Sequence, residues 1–363
     1  MKVIVEPDDG PSPLLSLLKA ARKTIELAIF RFDRSDMENT LKASVARGVK
    51  VTALIADVNR GGEKNLRKLE TRFLQAGITV ARSAHDLIRY HDKLIVIDRR
   101  ILCLLSFNFT HIDIDHSRGF AVVTRNTDMV QEAVKLFEAD CARRPYTAGP
   151  DAFVVSPENS RKVLRAFLER AKKQLLIYDP QISDAEMMDV LAARAKAGVE
   201  IRVLGKMKGR THIPVRKLTR MRLHTRTIIR DGNRAFVGSQ SLRPAELDSR
   251  RELGLIVRES PVVKKLLDTF ESDWLSSSGD GKEAQDGAKP AAPEQEAEKA
   301  MAVLVHELRP LARTVKRAVK KVVAQAGEEV VHDKILKSTV KKVVKKAVKQ
   351  AVKEAVQGDA REA

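Results

Sequence analysis

Apolar and polar positions alternate along this chain in two different periods, and the order in which the periods occur repeats. "PLLSLLKAARKTIELAIF", beginning at Pro13, reads as a helical stripe of period 3.6 running into a short apolar strand. "NSRKVLRAFLERAKKQLLIYDP", beginning at Asn159, reads the same way. "ENTLKASVARGVKVTALIADVN" and "MMDVLAARAKAGVEIRVLGKMKG" follow, each a helix stopped by glycine (Gly48, Gly198) and then a buried strand. Each series goes on to a strand with a histidine at its mouth, "YHDKLIVIDRR" or "LHTRTIIRDGNR", and a further strand, "AVVT" or "LGLIV". Each closes on a helix, "DMVQEAVKLFEADCAR" or "PVVKKLLDTFESDWLS". The period is about 130 residues, too long for a solenoid. Alternating helices and apolar strands predict an α/β protein with a mixed sheet in each of two halves, 1–150 and 151–275, and a buried seam between them.

After residue 275 the pattern fades. Residues 276–300 are rich in Ser, Gly, Pro and Glu, the composition of a flexible linker. Residues 301–363 read as a Lys-rich amphipathic helical tail. Its apolar stripe (Val340, Val343, Val344, Ala347, Val348, Ala351) contains only Val and Ala, which suits nucleic-acid contact or helix association better than membrane insertion.

Charge narrows the choice of partner. The net charge is +19, and residues 1–275 alone hold 49 Lys and Arg against 35 Asp and Glu, so the body is basic without its tail. Residues 201–230 carry ten basic side chains and no acidic one, which predicts a surface that attracts an anion: nucleic acid, acidic lipid or a phosphorylated substrate. Two cysteines, Cys103 and Cys141, offer neither a disulfide framework nor a metal site. There is no signal-peptide pattern and no apolar run of roughly 18 residues, so the expected location is cytoplasmic, with attachment at the edge of a membrane or the nucleoid left open.

The two histidine strings carry the candidate chemistry. His91, Lys93, Asp98, Ser106 and Asn108 recur with identical spacing as His224, Arg226, Asp231, Ser239 and Ser241. Read as one strand, residues two apart share a face, so each histidine lies beside a cation. A single histidine of this kind is most often a satisfied residue at a strand end; two copies with matched neighbours are not. Imidazole can attack phosphorus or move a proton. A cation two residues away can hold a phosphate oxygen, with hydroxyl and amide groups from Ser106, Asn108, Ser239 and Ser241 adding hydrogen bonds. Two facing sets suit a two-step displacement through a phosphohistidine. The cations neutralise the charge, so no metal or cofactor is called for.

These strings resemble the H-x-K-x4-D-x6-G-S-x-N signature of the phospholipase D superfamily, and the second half looks most like the cardiolipin-synthase-like branch. The resemblance covers residues 1–275, with motifs at 91–108 and 224–241. It implies a duplicated phospholipase D-like α/β/α sandwich whose two pseudo-twofold-related halves meet at the site. It also implies His91 as nucleophile and His224 as acid/base, with the reverse open. In the family a glutamate eleven residues past the motif orients a histidine, and Glu252 stands there in the second half. Gly119 takes that place in the first, leaving His91 without such a partner unless Asp113 or Asp115 supplies one. Further departures are Arg226 for lysine, Ser241 for asparagine and Leu105 for glycine. Three functions fit: a phospholipid head-group phosphodiesterase or transferase, a nuclease of the same superfamily, and a non-catalytic phosphate- or nucleic-acid-binding protein with a decayed site. A monomer of two halves is expected, touching anionic partners through 201–230 and 301–363.

Overall fold

The computed structural model describes residues 1–57, 63–209 and 211–279. The expected tail and nearly all of the expected linker lie outside them. The first half runs β1 (Lys2–Glu6), α1 (Ser12–Lys19), β2 (Thr24–Ile29), α2 (Ser35–Ala46), β3 (Lys50–Ile55), α3 (Glu63–Gln75), β4 (Thr79–Arg82), β5 (Arg89–Tyr90), β6 (Leu94–Ile97), β7 (Ile101–Leu105), α4 (His111–Asp115), β8 (Ser117–Thr124) and α5 (Thr127–Cys141). The second half repeats this order without a counterpart of α3. It runs β9 (Phe153–Ser156), α6 (Ser160–Glu169), β10 (Gln174–Ile182), α7 (Ala185–Lys196), β11 (Glu200–Met207), β12 (Val215–Lys217), β13 (Arg222–Leu223), β14 (Arg226–Arg230), β15 (Arg234–Gly238), α8 (Pro244–Asp248), β16 (Arg250–Val257) and α9 (Ser260–Leu275).

Each half builds one mixed sheet. The first has the order β1-β8-β7-β6-β2-β3-β4, and the second runs β12-β11-β10-β14-β15-β16 with β9 against β16. Strands β1 and β9 escape the helix-then-strand reading because each is a single short apolar run closed at a proline. Helices α1 to α4 bury Leu14, Leu18, Met37, Leu41 and Phe73 against the outer face of the first sheet. Helices α6 to α8 do the same with Leu164, Phe167, Met187 and Leu247 on the second. Helices α5 and α9 fill the seam, where Leu136, Phe137, Phe270 and Trp274 join the inner faces of both sheets in one cluster. Strands covered on both faces have no polar face to alternate with, which is why "LIVI" reads as continuous apolar sequence. The mixed α/β sheets and the duplication agree with expectation. Among the described residues no helix is long and apolar enough to cross a membrane.

Gly48 and Gly198 end α2 and α7 with φ of 86° and 87°, the left-handed conformation that glycine adopts freely.

Candidate active site

The expected single strand through each histidine is broken, and the break makes the site. Strand β5 pairs in parallel with β16 of the other half, Arg89 opposite Arg250 and Tyr90 opposite Arg251. Four residues on, β6 has joined the first sheet between β2 and β7. The chain therefore passes from one half's sheet to the other's at His91, whose N–H donates to Arg251 O at 2.8 Å. The second half reciprocates. Strand β13 pairs with β8, and His224 N–H donates to Arg118 O at 3.1 Å before β14 enters its own sheet. Continuing each register by one residue sets His91 opposite Glu252 and His224 opposite Gly119.

Glu252 belongs to the histidine of the other half. His91 Nδ1 lies 2.8 Å from Glu252 Oε2, so the expectation that His91 lacks a carboxylate partner is corrected: the partner comes across the seam. Lys93 Nζ is 2.9 and 3.0 Å from the two ring nitrogens and donates to the His91 carbonyl. The Phe30 ring packs against the imidazole in a T-shaped contact, with centroids 4.5 Å apart. Burial holds His91 well below the usual imidazole range, and the charges of Lys93 and Arg226 push the same way. Burial also brings Lys93 down to about 7, although Glu252 works against it. The Glu252 carboxyl is raised by its burial, with Lys93, Arg226 and the Ser239 hydroxyl in opposition.

His224 has no glutamate to meet. A Cβ on Gly119 would stand 2.6 Å from the Phe107 ring, which occupies the space beside it. Asp113 stands closest instead, its Oδ2 3.4 Å from His224 Nδ1, an ion-pair distance without hydrogen-bond geometry. Asp113 is the stand-in foreseen among the first-half carboxylates, but it serves His224. Asn108 N and Nδ2 donate to its Oδ2 at 3.0 and 2.6 Å, and Arg222 Nη1 donates to its Oδ1. Burial would raise this carboxyl; His224, Asn108 and Arg222 together hold it below its ordinary value. His224 itself is driven well down by burial, with Asp113 opposing. Asp115 instead pairs with Arg34 and His111.

Arg226 repeats the posture of Lys93. Its Nη1 donates to the His224 carbonyl at 2.7 Å and its Nε to Ser241 Oγ at 3.2 Å. Three groups here were not singled out from the sequence. Glu246 Oε2 accepts the Ser241 N–H at 2.8 Å, and Arg250 donates to its Oε1 at 3.2 Å; Arg222 is the third. A signal for Glu246 did exist. It lies five residues past Ser241, as Asp113 lies five past Asn108.

Other expected members fall elsewhere. Ser106 Oγ accepts from Phe120 N and Ser239 Oγ from Leu253 N, so both hydroxyls join adjacent strands, and Ser239 acts on the Glu252 carboxyl as well. Asp98 and Asp231 are corrected outright. Asp98 is five residues along β6 from Lys93, about 16 Å at the rise of a strand. Asp98 and Arg99 have φ of 52° and 51°, Asp231 and Gly232 of 53° and 65°: paired left-handed residues, as a type I′ hairpin turn requires. The Asp98 carboxylate accepts N–H groups of Arg22, Lys23 and Thr24, and Asp231 those of Lys172, Lys173 and Gln174. These donors hold both carboxyls low against the burial that would raise them. Asp98→Ala is expected to cost about 1–3 kcal/mol of stability through the lost backbone hydrogen bonds. Turnover measured well below the melting temperature should change less than about twofold; a larger loss would return Asp98 to the site.

The family model for the cardiolipin synthase, phospholipase D-like domain matches residues 14–141 and 164–274, most of both halves. The chain belongs to the phospholipase D superfamily. Within it, mitochondrial cardiolipin hydrolase of Mus musculus is 30% identical over 131 residues, 35% of this chain and 56% of that protein. Its Danio rerio relative is 28% identical over 137 residues, 35% of this chain and 57% of its own. The chain spans about half the length of these curated relatives. Two solved structures share the duplicated fold. Phosphatidylserine synthase of Haemophilus influenzae Rd KW20 has a TM-score of 0.60 at 10% identity, covering 84% of this chain and 93% of its own. Polyphosphate kinase of Porphyromonas gingivalis has a TM-score of 0.64 at 20% identity, covering 83% and 55%.

Proposed function

We propose that this superfamily member is a phosphodiesterase that hydrolyses or transfers a phospholipid head-group ester through a phosphohistidine. The observation that carries the reading is the pairing across the seam: two buried histidines, each with a carboxylate at Nδ1 and a cation two residues on, drawn from opposite halves. With the proton on Nδ1 held by Glu252, His91 Nε2 keeps a lone pair, and the depressed pKa keeps the ring neutral. Nε2 attacks phosphorus as the bond to the leaving oxygen breaks, and His224, acting from its protonated form opposite Asp113, delivers that proton to the oxygen and is left neutral. His224 then takes a proton from the incoming water or alcohol, whose oxygen displaces His91. Lys93 and Arg226 turn from the histidine carbonyls onto the equatorial phosphate oxygens, where charge builds in each step. Glu252 displaces the main argument for giving the nucleophile to His224, since it contacts the other ring.

Labelled phosphatidylglycerol, phosphatidylcholine and cardiolipin vesicles, assayed beside single- and double-stranded DNA, test the substrate. Product from lipid that His91→Ala abolishes is expected; product from DNA alone would establish the nuclease reading, which the basic body supports. No product from either would support a binding protein.

The pH profile follows from three depressed groups, His91, His224 and Lys93. On kcat/KM, which reports the free enzyme, the acid limb should lie below 6.5, where His91 becomes protonated. His224 must carry a proton to act as acid and Lys93 one to neutralise phosphate; with His224 held well below its usual range and Lys93 at about 7, kcat/KM should already be falling with rising pH by about 7. A plateau extending to pH 9 would overturn the roles given to both His224 and Lys93.

A further inference from the structure

Of the five exposed large apolar side chains among the described residues, two stand beside the site: Ile88 is 65% exposed and Ile112 is 53% exposed. Ile88 is three residues before His91, in the loop leading to β5, and its N–H donates to Ser249 O at the end of α8. Ile112 precedes Asp113 in α4, which follows β7. Both therefore lie at the end of the sheets where β6 and β14 begin. Strands β2 and β10 run antiparallel to β6 and β14, so β11, parallel to β10, finishes at this end too. The register agrees: a Cβ on Gly205 of β11 would come within 3.2 Å of Leu223, the neighbour of His224.

The basic stretch delivers its free charge here. Much of it is consumed inside the fold: Arg202 pairs with Glu271, Arg222 with Asp113, and Arg230 donates to Phe167 O. Lys206 and Lys208, where β11 finishes, and Arg220, shortly before β13, are exposed and form no ion pair among the described residues. Apolar anchors beside cations suit the boundary of an anionic bilayer, where acyl chains lie under phosphate. Single-stranded nucleic acid would call for exposed rings on which bases stack. At this end the rings of Phe30 and Tyr90 are buried, the exposed imidazoles of His85 and His111 are paired with Asp57 and Asp115, and the exposed apolar anchors are aliphatic.

We infer that the site-bearing end of the molecule docks on an anionic phospholipid surface, with Ile88 and Ile112 entering the acyl boundary and Lys206, Lys208 and Arg220 meeting the phosphates. The inference deepens the proposed lipid reaction and rests on it for its purpose, but its test needs no turnover, so the two fail separately.

Ile88→Trp and Ile112→Trp in the full chain each add an exposed indole to the single native tryptophan, Trp274, which is buried in the seam. With vesicles of phosphatidylglycerol brominated on the acyl chains, the added indole should be quenched while Trp274 is not. Replacing both isoleucines with serine should weaken vesicle partition by roughly tenfold per site. Exchanging Lys206 and Lys208 for glutamine should weaken it about fivefold each, in low salt. An unquenched indole on vesicle-bound protein would overturn the inference, because contact would then run through another part of the chain. An added indole that responds to a single-stranded oligonucleotide and not to lipid would overturn it in favour of nucleic acid.

Discussion

His91→Ala is expected to lower phosphodiester turnover by about 10⁴-fold or more, because it removes the atom that forms the covalent bond. His224→Ala should be as damaging with a lipid alkoxide as leaving group, yet the two losses differ in kind. A p-nitrophenyl ester needs no proton on its departing oxygen. With it, His224→Ala should still release about one nitrophenolate per molecule and then stall, since no base remains to activate water. The stalled protein should hold phosphate in a linkage that acid cleaves and alkali does not, as expected of a P–N bond. His91→Ala should give neither burst nor label. The asymmetry comes from geometry: Glu252 sits 2.8 Å from His91 Nδ1, whereas Asp113 stands 3.4 Å from His224 and is already engaged by Asn108 and Arg222. A burst from His91→Ala and none from His224→Ala would exchange the two roles. Full turnover in His91→Ala would end the phosphohistidine mechanism.

How much of this was legible in the residues depends on the range of the interaction involved. The eighteen-position correspondence of His91–Asn108 with His224–Ser241 was readable because each string folds locally in the same way. The same correspondence misled at Asp98 and Asp231. A matched spacing shows that two positions are equivalent but says nothing of which end of the strand they occupy. Their carboxylates meet backbone some 58 or 75 residues away, at Lys173 and Lys23. The partner of His91 was hidden for a related reason. An offset of eleven residues places Glu252 in its own half's motif, and only the pairing of β5 with β16, 161 residues apart at His91 and Glu252, brings it to the other histidine. Glu246 was legible in principle, as a second carboxylate five residues past its motif. The charge count of 201–230 could not reveal how many of those arginines are spent inside the fold. A composition records charge and not its partners.

Asp273→Ala is expected to cost about 3–5 kcal/mol of stability, the largest loss from a residue outside the histidine cluster. Arg118 of β8 and Asp273 of α9 form a buried fork, Nε to Oδ2 at 2.8 Å and Nη2 to Oδ1 at 2.9 Å, with the Tyr178 hydroxyl donating to Oδ2 at 2.7 Å. Burial disfavours the Arg118 charge, and Asp273 more than offsets it. Without that carboxylate the guanidinium keeps the Glu6 carbonyl and the exposed Asp8, too little to replace a bidentate partner. Arg251 and Asp140 repeat the fork from the other half, at 3.1 and 3.0 Å, so each closing helix is tied to the opposite sheet. The tie reaches the site because the Arg118 carbonyl receives the N–H groups of His224 and Thr225. Asp273→Ala should therefore lower turnover even where the protein stays folded. Denaturant unfolding should show Asp273→Leu combined with Arg118→Met losing less than Asp273→Ala alone, since no charge is then left buried. Equal or greater loss in the double variant would mean that packing of α9, and not the orphaned guanidinium, sets the cost.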